Sequence, residues 1–271
     1  MKKFFGLFYG MVYGVSLVIP GLSGGTFLVI FGCYDTVCEA FALNFKVIKK
    51  HLLFLLLFGT GAIGGIIGFA HAITFLLAKF GIQTSLFFMG LILGGIPLIK
   101  KIAFEEHKFK PVCIVPFILG LGLVTSLFFI ERFGVFGTGE VDAAGFMFFV
   151  RIMLYSFVAA IAMVMPGISG AFMLVAFGVY DIFMEALKGL DFVALLPAAI
   201  GVALGIFAGA KLVLFLIKKF KLIVYCVIMG MVIGSMVPLF PGGFGLNTAT
   251  LAGIGCLVLG GGITLMLAKA D

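Results

Sequence analysis

Two short motifs of the form Pro-Gly-x-Ser-Gly interrupt the apolar stretches of this chain, at residues 20–24 and 166–170. Proline and glycine end a helix, and serine is a preferred N-cap of the helix that follows. Free backbone N–H groups and the positive end of the helix dipole at such a start bind anions. The helix breaks are predicted at Pro20, Gly21, Pro166 and Gly167. The predicted ligands of an anionic phosphate are Ser23, Gly24, Gly25 and Thr26 in the first motif and Ser169, Gly170 and Ala171 in the second.

The second motif belongs to a longer duplication. At an offset of 146, twelve of the twenty-one residues in 20–40 are identical to their partners in 166–186. Farther along the offset is 140, and it pairs the glycines at 61, 65, 90 and 94 with those at 201, 205, 230 and 234. A single motif is equally typical of a tight turn that only allows close helix packing. Two copies in one duplicated unit favour substrate binding.

The composition predicts a membrane protein. Of the 271 residues, 63% are hydrophobic and 11% are charged, which is too apolar for a water-soluble domain. The five cysteines show neither metal nor disulfide spacing, so we expect no metal site, no disulfide and no cofactor. The net charge of +7 comes from short loops between apolar stretches, which indicates topology rather than nucleic-acid binding.

The lysines and arginines predict the orientation. If the loops alternate between the two sides, thirteen of the eighteen fall on one face, and the positive-inside rule makes that face cytoplasmic. Both termini of the membrane protein are then cytoplasmic. The basic start followed by an apolar run is also typical of a signal peptide. We reject that interpretation because the residues before Pro20 have an internal counterpart before Pro166.

The expected fold is an all-α polytopic integral membrane protein built from two repeats of inverted topology. Each repeat has a membrane-entering helical hairpin broken at its motif and two spans long enough for a hydrocarbon core of about 30 Å. The linking span between the repeats makes the number of crossings odd, and this inverts the second copy. The predicted boundaries are 1–104 for the first repeat (hairpin 4–43, spans 52–80 and 84–99), 105–142 for the linking span (111–130) and its loops, 143–241 for the second repeat (hairpin 145–187, spans 192–218 and 222–239), and 249–268 for a C-terminal span.

The architecture favours a transporter, because inverted repeats with broken helices are typical of secondary transporters. The arms of the first hairpin, at 4–19 and 26–43, are about 24 to 27 Å long as helices. That length leaves open whether the arms stop within the membrane or cross it.

Four acidic residues follow the two motifs in pairs. The members of a pair are four residues apart and therefore share one helix face. Two interpretations remain open: the acids carry a coupling proton or form a gate, or they anchor the ends of the helices. The pairs are Asp35 with Glu39 and Asp181 with Glu185.

Three further ionisable residues lie within or at the ends of apolar stretches. His71 and Lys211 correspond at the offset of 140 and are candidates for phosphate contact or proton coupling. Lys211 is alternatively placed to extend its ammonium group toward the cytoplasmic surface. Arg151 is a candidate ligand of an anionic headgroup, with anchoring at the membrane interface as the alternative.

The doubled signature resembles one prokaryotic membrane family. PGLSGGT is followed by GCYD, and PGISG is followed by GVYD. This pattern is similar to that of the undecaprenyl-phosphate transporter family PopT, formerly a membrane domain of unknown function, over nearly the whole chain. The resemblance implies movement of the polyprenyl phosphate carrier from the outer to the cytoplasmic leaflet for reuse in cell-envelope synthesis. In that family an acidic residue often precedes the first Pro-Gly by three positions, where this chain has Leu17.

Two other functions are compatible with the same residues. An ion-coupled transporter of a small soluble anion uses the same broken helices but needs a closed cavity instead of an opening to lipid. An intramembrane lipid-phosphate enzyme needs a nucleophile and acid–base partners, and the three histidines show no catalytic spacing. We therefore expect a transporter rather than an enzyme, with protons or sodium as coupling ions.

Overall fold

The computed structural model describes residues 5–18, 22–105, 111–133, 145–189, 191–245 and 247–270. Within these ranges the chain forms helices and connecting turns only. Pro20 and Gly21 lie outside the described residues, as does the side chain of His71. The helices are α1 (Phe5–Val18), α2 (Gly24–Ile30), α3 (Tyr34–Phe41), α4 (Phe45–Lys50), α5 (Leu52–Lys79), α6 (Gly81–Phe104), α7 (Ile114–Arg132), α8 (Phe146–Val164), α9 (Gly170–Ala176), α10 (Tyr180–Gly189), α11 (Phe192–Gly234) and α12 (Thr248–Ala270).

Five segments of the described chain are long and apolar enough to cross a membrane: Gly81–Phe104, Pro111–Ile130, Phe146–Val164, Phe192–Gly234 and Thr248–Leu267. The spans predicted at 192–218 and 222–239 are two parts of α11, which bends at Phe220 (φ −137°, ψ 44°). The counterpart Phe80 has nearly the same dihedral angles (φ −130°, ψ 43°) and separates α5 from α6. A single non-helical phenylalanine therefore joins the two spans in both copies.

The return arm of each hairpin is divided. The sequence pattern suggests one helical arm over 26–43, but the structure splits it into α2 and α3 at Gly32, where φ is +66°. The Cys33 N–H donates to the Leu28 carbonyl oxygen (3.0 Å), which closes α2 with a glycine cap. Gly178 (φ +69°) ends α9 in the same way. Each break is thus followed by a helix of seven residues, about 10 Å long.

Glycines allow the paired spans to lie backbone to backbone. A Cβ at Gly61 on α5 would collide with the carbonyl oxygen of Leu7 on α1. On α11, a Cβ at Gly201 would collide with the carbonyl oxygen of Met153 on α8. Small residues permit such close approach between membrane helices, where packing contacts drive association. Gly201 and Met153 are the counterparts of Gly61 and Leu7, so the duplication extends to this contact.

The linking span and the C-terminal span also correspond to each other. Helix α12 packs on α6, with the Leu257 carbonyl oxygen against Gly90, and α7 packs on α11, with the Phe117 carbonyl oxygen against Gly230. Gly230 is the counterpart of Gly90 at the offset of 140, and Leu257 is the counterpart of Phe117 at the same offset. Each of these two spans therefore packs on a helix from the opposite half of the chain.

The two hairpins are enclosed to different degrees. Every residue of α2 is buried, whereas Ala176 is the buried residue of α9. In both hairpins a tyrosine of the first arm stacks on the phenylalanine after the short helix: Tyr9 on Phe31 (centroids 4.6 Å apart) and Tyr155 on Phe177 (5.0 Å). The same stacking thus fixes both hairpins, but the second remains partly open.

Candidate functional site

The two motifs meet at the centre of the described structure. The Gly167 N–H donates a hydrogen bond to Oγ1 of Thr26 (2.9 Å), and Ser23 Oγ donates to the carbonyl oxygen of Met165 (3.3 Å). Nearby, the Tyr34 hydroxyl donates to the Val164 carbonyl oxygen at the end of α8 (3.0 Å). Backbone groups exposed by the second break are therefore satisfied by side chains that follow the first break.

These contacts give Ser23 and Thr26 a structural role. Both side chains are buried, with exposed fractions of 1% and 0%. Gly25 packs against the second break, because a Cβ there would lie 3.1 Å from the Met165 carbonyl carbon and the Pro166 nitrogen. Of the residues predicted to bind phosphate in the first motif, Gly24 is the one that also lines a cavity.

That cavity, here called the break cavity, lies beside the second motif and has a volume of about 180 Å³. Its wall includes Gly24 from the first motif, Ser169, Gly170 and Ala171 from the second, and Ser156 from α8. At a water's share of roughly 30 Å³, it has room for a phosphate group. Both motifs therefore contribute to one enclosed space.

The wall of the break cavity contains one buried polar side chain without a hydrogen bond in the described structure, that of Ser156. Its side chain is 1% exposed, and its Oγ has no hydrogen-bond partner among the described residues. A buried hydroxyl without a partner costs about 1–3 kcal/mol. Ser169 precedes α9 as its N-cap, and its side chain forms no capping bond. Neither the Ser156 hydroxyl nor the capping position of the Ser169 hydroxyl is thus occupied by a hydrogen bond within the described residues.

A second cavity, here called the charged cavity, lies between α3 and α11 and has a volume of about 560 Å³. Asp35 and Glu39 line one side, and Lys211 and Lys218 line the other. The Tyr225 hydroxyl donates to Oδ1 of Asp35 (3.4 Å) from beyond the bend of α11. The structure therefore brings together three of the residues predicted for coupling or gating.

The carboxyl group of Asp35 has an altered affinity for protons. Asp35 lies in α3, outside the candidate spans. The surrounding protein takes part of its hydration away and raises its pKa above the ordinary value, an effect that exceeds the lowering by the Tyr225 hydrogen bond and the Lys221 charge. Although the Asp35 side chain is exposed at the surface, its protonated form is consequently more populated near neutral pH than that of an aspartate with an ordinary pKa.

The remaining predicted residues lie apart from both cavities. Asp181 and Glu185 are exposed on α10 and line neither cavity. Arg151 lies thirteen residues before the end of α8, about 20 Å along its axis. The backbone at His71 belongs to α5, and its side chain lies outside the described residues.

Sequence reasoning missed three residues of these sites. Ser156 corresponds to Gly10 in the first copy. A serine that replaces a glycine within the repeat is a sequence signal that could have identified Ser156. Lys218 lies seven residues after Lys211, two helical turns along the same face. No sequence pattern indicates that Tyr225 contacts Asp35, because that contact joins residues 190 positions apart.

Comparisons with known proteins identify the family of the chain. A polyprenyl-phosphate transporter of Staphylococcus aureus (strain NCTC 8325 / PS 47) is 29% identical over 251 residues, which cover 89% of this chain and 87% of the relative. A polyprenyl-phosphate transporter of Vibrio cholerae serotype O1 (strain ATCC 39315 / El Tor Inaba N16961) is 26% identical over 247 residues, covering 86% and 76%. No solved structure matches the chain significantly. Because the family model described as undecaprenyl phosphate translocase-like matches residues 2–108 and 87–252, the chain belongs to that family.

Proposed function

We propose that this membrane protein carries undecaprenyl phosphate from the outer to the cytoplasmic leaflet, so that the lipid carrier is reused in cell-envelope synthesis. The family and the names of both relatives support a polyprenyl phosphate as the substrate. They also point to a transporter and not to an enzyme. The observation that carries the proposal is the break cavity, where both motifs meet beside the unpartnered Ser156 hydroxyl.

In this proposal the break cavity lowers the cost of moving the headgroup. A phosphate is expensive to place in hydrocarbon without hydrogen-bond partners, whereas the prenyl tail can remain in lipid. Ser156 and Ser169 donate their hydroxyl hydrogens to the phosphate, and the backbone at Gly170 adds an N–H donor. Arg151 is proposed to attract the headgroup at the membrane surface before it enters.

An apolar groove beside the second motif favours a lipid over a soluble anion. It has a volume of about 420 Å³ and runs along α11 past the bend at Phe220 to Met165 and Pro166. Phe220 and Ile223 on its wall are partly exposed, so the groove is open at its side. We propose that the prenyl tail occupies this groove while the headgroup passes the break.

We further propose that the two halves have inverted topology, with re-entrant hairpins and both termini in the cytoplasm. The repeated glycine contacts and the positive-inside pattern support this arrangement. The described part of α1 has 14 residues, about 21 Å, which is shorter than a hydrocarbon core of about 30 Å. That length favours a hairpin that turns within the membrane.

Leaflet exchange of labelled undecaprenyl phosphate in liposomes tests the function. We expect the purified protein to accelerate exchange and the Ser156→Ala, Ser169→Ala double variant to be at least roughly a hundredfold slower, since each of the two lost hydrogen bonds to a charged group contributes about 1.5–3 kcal/mol. The Ser156→Ala change should leave thermal stability unchanged or raised, because it removes a buried hydroxyl without a partner.

The matched control is the Ser85→Ala, Ser126→Ala variant, which removes two hydroxyls outside the break cavity. No acceleration by the unsubstituted protein would contradict the proposal, and uptake of a small soluble anion would then replace it. Release of inorganic phosphate from undecaprenyl phosphate would instead support the enzyme alternative.

We propose that Asp35 and Glu39 couple exchange to a proton gradient. The raised pKa of Asp35 supports this role, since the group changes its charge closer to neutral pH than an ordinary aspartate. An inward proton gradient should accelerate exchange by the unsubstituted protein, and the Asp35→Asn variant should lose that response while it retains basal exchange. The Glu185→Gln variant, altered at the exposed counterpart of Glu39 that lines neither cavity, serves as control. Identical rates with and without the gradient would refute coupling.

A further inference from the structure

The lysine pair of the charged cavity is not duplicated in the sequence, although most of the chain is. The first-half counterparts of Lys211 and Lys218 are His71 and Ala78. The second-half counterparts of Asp35 and Glu39 are exposed on α10 and line none of the described cavities. One end of the protein therefore carries a pair of lysines on a cavity wall, and the corresponding position at the other end does not.

The two lysines have no carboxylate partner within the described residues. The ion pair found there joins Lys221 to Glu105 (3.4 Å). The Lys211 ammonium lies 4.2 Å from the centre of the Phe207 ring, a contact that leaves its N–H donors available. Lys218 is two turns, about 10 Å, farther along the same face, and both lysines line the charged cavity.

The acids on the opposite wall are engaged elsewhere. Glu39 Oε2 accepts a hydrogen bond from Nδ2 of Asn44 (2.8 Å), and Asp35 accepts one from the Tyr225 hydroxyl. The carboxylates are thus held by neutral donors, and the lysine charges on the other wall remain unneutralised by direct contact.

Apart from Asn44, the rest of the wall is apolar. Leu214, Phe215 and Ile217 lie between the two lysines on α11, and the side chain of Phe215 is 58% exposed. A wall with two cations set among exposed apolar side chains fits a phosphate attached to a hydrocarbon chain better than it fits free phosphate. Lysine stems also pack along apolar surface while the ammonium group remains hydrated.

We propose that the charged cavity is a second headgroup site, in which Lys211 and Lys218 bind the phosphate of a polyprenyl phosphate on the face that carries most of the basic loops. This inference rests on the proposed function and adds a receiving site to it. Because the other end lacks the lysine pair, the phosphate is held more tightly on one side than on the other. The carrier thus accumulates at the predicted cytoplasmic face before it is released.

A tryptophan reporter tests the site directly, because the chain contains no tryptophan. In liposomes of a zwitterionic lipid, Phe215→Trp places the single indole on the wall of the charged cavity. Undecaprenyl phosphate should change its emission in a saturable way, and undecaprenol, inorganic phosphate and phosphatidylglycerol should not. Adding Lys211→Gln and Lys218→Gln should weaken the apparent affinity roughly tenfold, a value discounted for the exposure of the lysines.

The matched control removes the same charge elsewhere. Lys49→Gln with Lys50→Gln alters two exposed lysines at the end of α4 that do not line the cavity, and the affinity should stay unchanged. In the unsubstituted protein, undecaprenyl phosphate should also protect Lys211 and Lys218, but not Lys49 and Lys50, from an amine-acylating reagent, as measured by mass spectrometry. This second measurement does not depend on the folding of any variant.

The outcomes separate this site from the proposed function. Leaflet exchange by the unsubstituted protein tests translocation, whereas reporter titration and lysine protection test the charged cavity. Exchange without saturable emission change and without protection would overturn the second headgroup site alone. An equal response to phosphatidylglycerol would overturn its assignment to the carrier and make it a site for ordinary anionic lipids, and an equal response to inorganic phosphate would make it a soluble-anion site.

Discussion

Replacing Gly167 with alanine is expected to abolish leaflet exchange and to lower stability more than any other single methyl addition at the motifs. Gly167 has φ of +88°, and a Cβ there would lie 2.6 Å from the Met231 carbonyl oxygen on α11. The dihedral strain costs about 1–2 kcal/mol and the overpacking about 1–3 kcal/mol. Relief of that clash moves the second break away from Thr26. Apparent melting temperature in detergent and exchange in liposomes measure the two effects.

The Gly32→Ala variant is the control that separates backbone dihedral strain from the steric clash of an added Cβ. Gly32 has a similar φ of +66°, but a Cβ there would approach nothing closer than 3.6 Å. It should lower stability by about 1–2 kcal/mol and leave exchange largely intact. If Gly167→Ala and Gly32→Ala behave alike, the close approach of α11 to the second break is not important for transport.

Thr26→Val should give the second large effect. Valine has nearly the shape of threonine but cannot accept the hydrogen bond from the Gly167 N–H, which then remains buried without a partner. Such a loss costs about 1–3 kcal/mol. We expect a lower melting temperature together with slower exchange, since the bond holds one motif against the other.

Two variants make this prediction specific. Thr26→Ser retains the hydroxyl and should restore most of the exchange, despite the loss of a methyl group. Thr60→Val removes a hydroxyl that bonds only within its own exposed helix turn, so its effect should stay within about 0.5 kcal/mol. Full activity of Thr26→Val would mean that the contact between the breaks has no role in transport.

The local features of the fold were predictable from the sequence. Proline, glycine and serine specify where a helix ends and the next begins, because their backbone preferences act within a few residues. The structure accordingly starts α2 at Gly24 and α9 at Gly170. The apolar stretches likewise predict the long helices, with α7 beginning at Ile114 inside the predicted span 111–130.

Contacts between distant residues were not predictable in the same way. The hydrogen bond between Thr26 and Gly167 joins residues 141 positions apart, and no pattern in the sequence fixes which side chain meets which backbone group. For the same reason Thr26 was expected to bind phosphate, although its hydroxyl is occupied by the other motif. The division of the return arm at Gly32 has a local signal in the sequence, because a glycine recurs at the corresponding position 178. Glycines are too common in this chain, however, for that signal to single out Gly32.

The packing of α12 on α6 has a consequence for how the protein is made. The glycine face of α6, at Gly90 and Gly94, is complete before translation has reached the helix that covers it. The intervening residues, 105–247, take roughly 7 to 30 s to synthesise at about 5–20 residues per second. During this interval the nascent chain exposes a narrow backbone groove within the bilayer. We therefore expect this face of α6 to stay uncovered in any chain whose translation stops before residue 248.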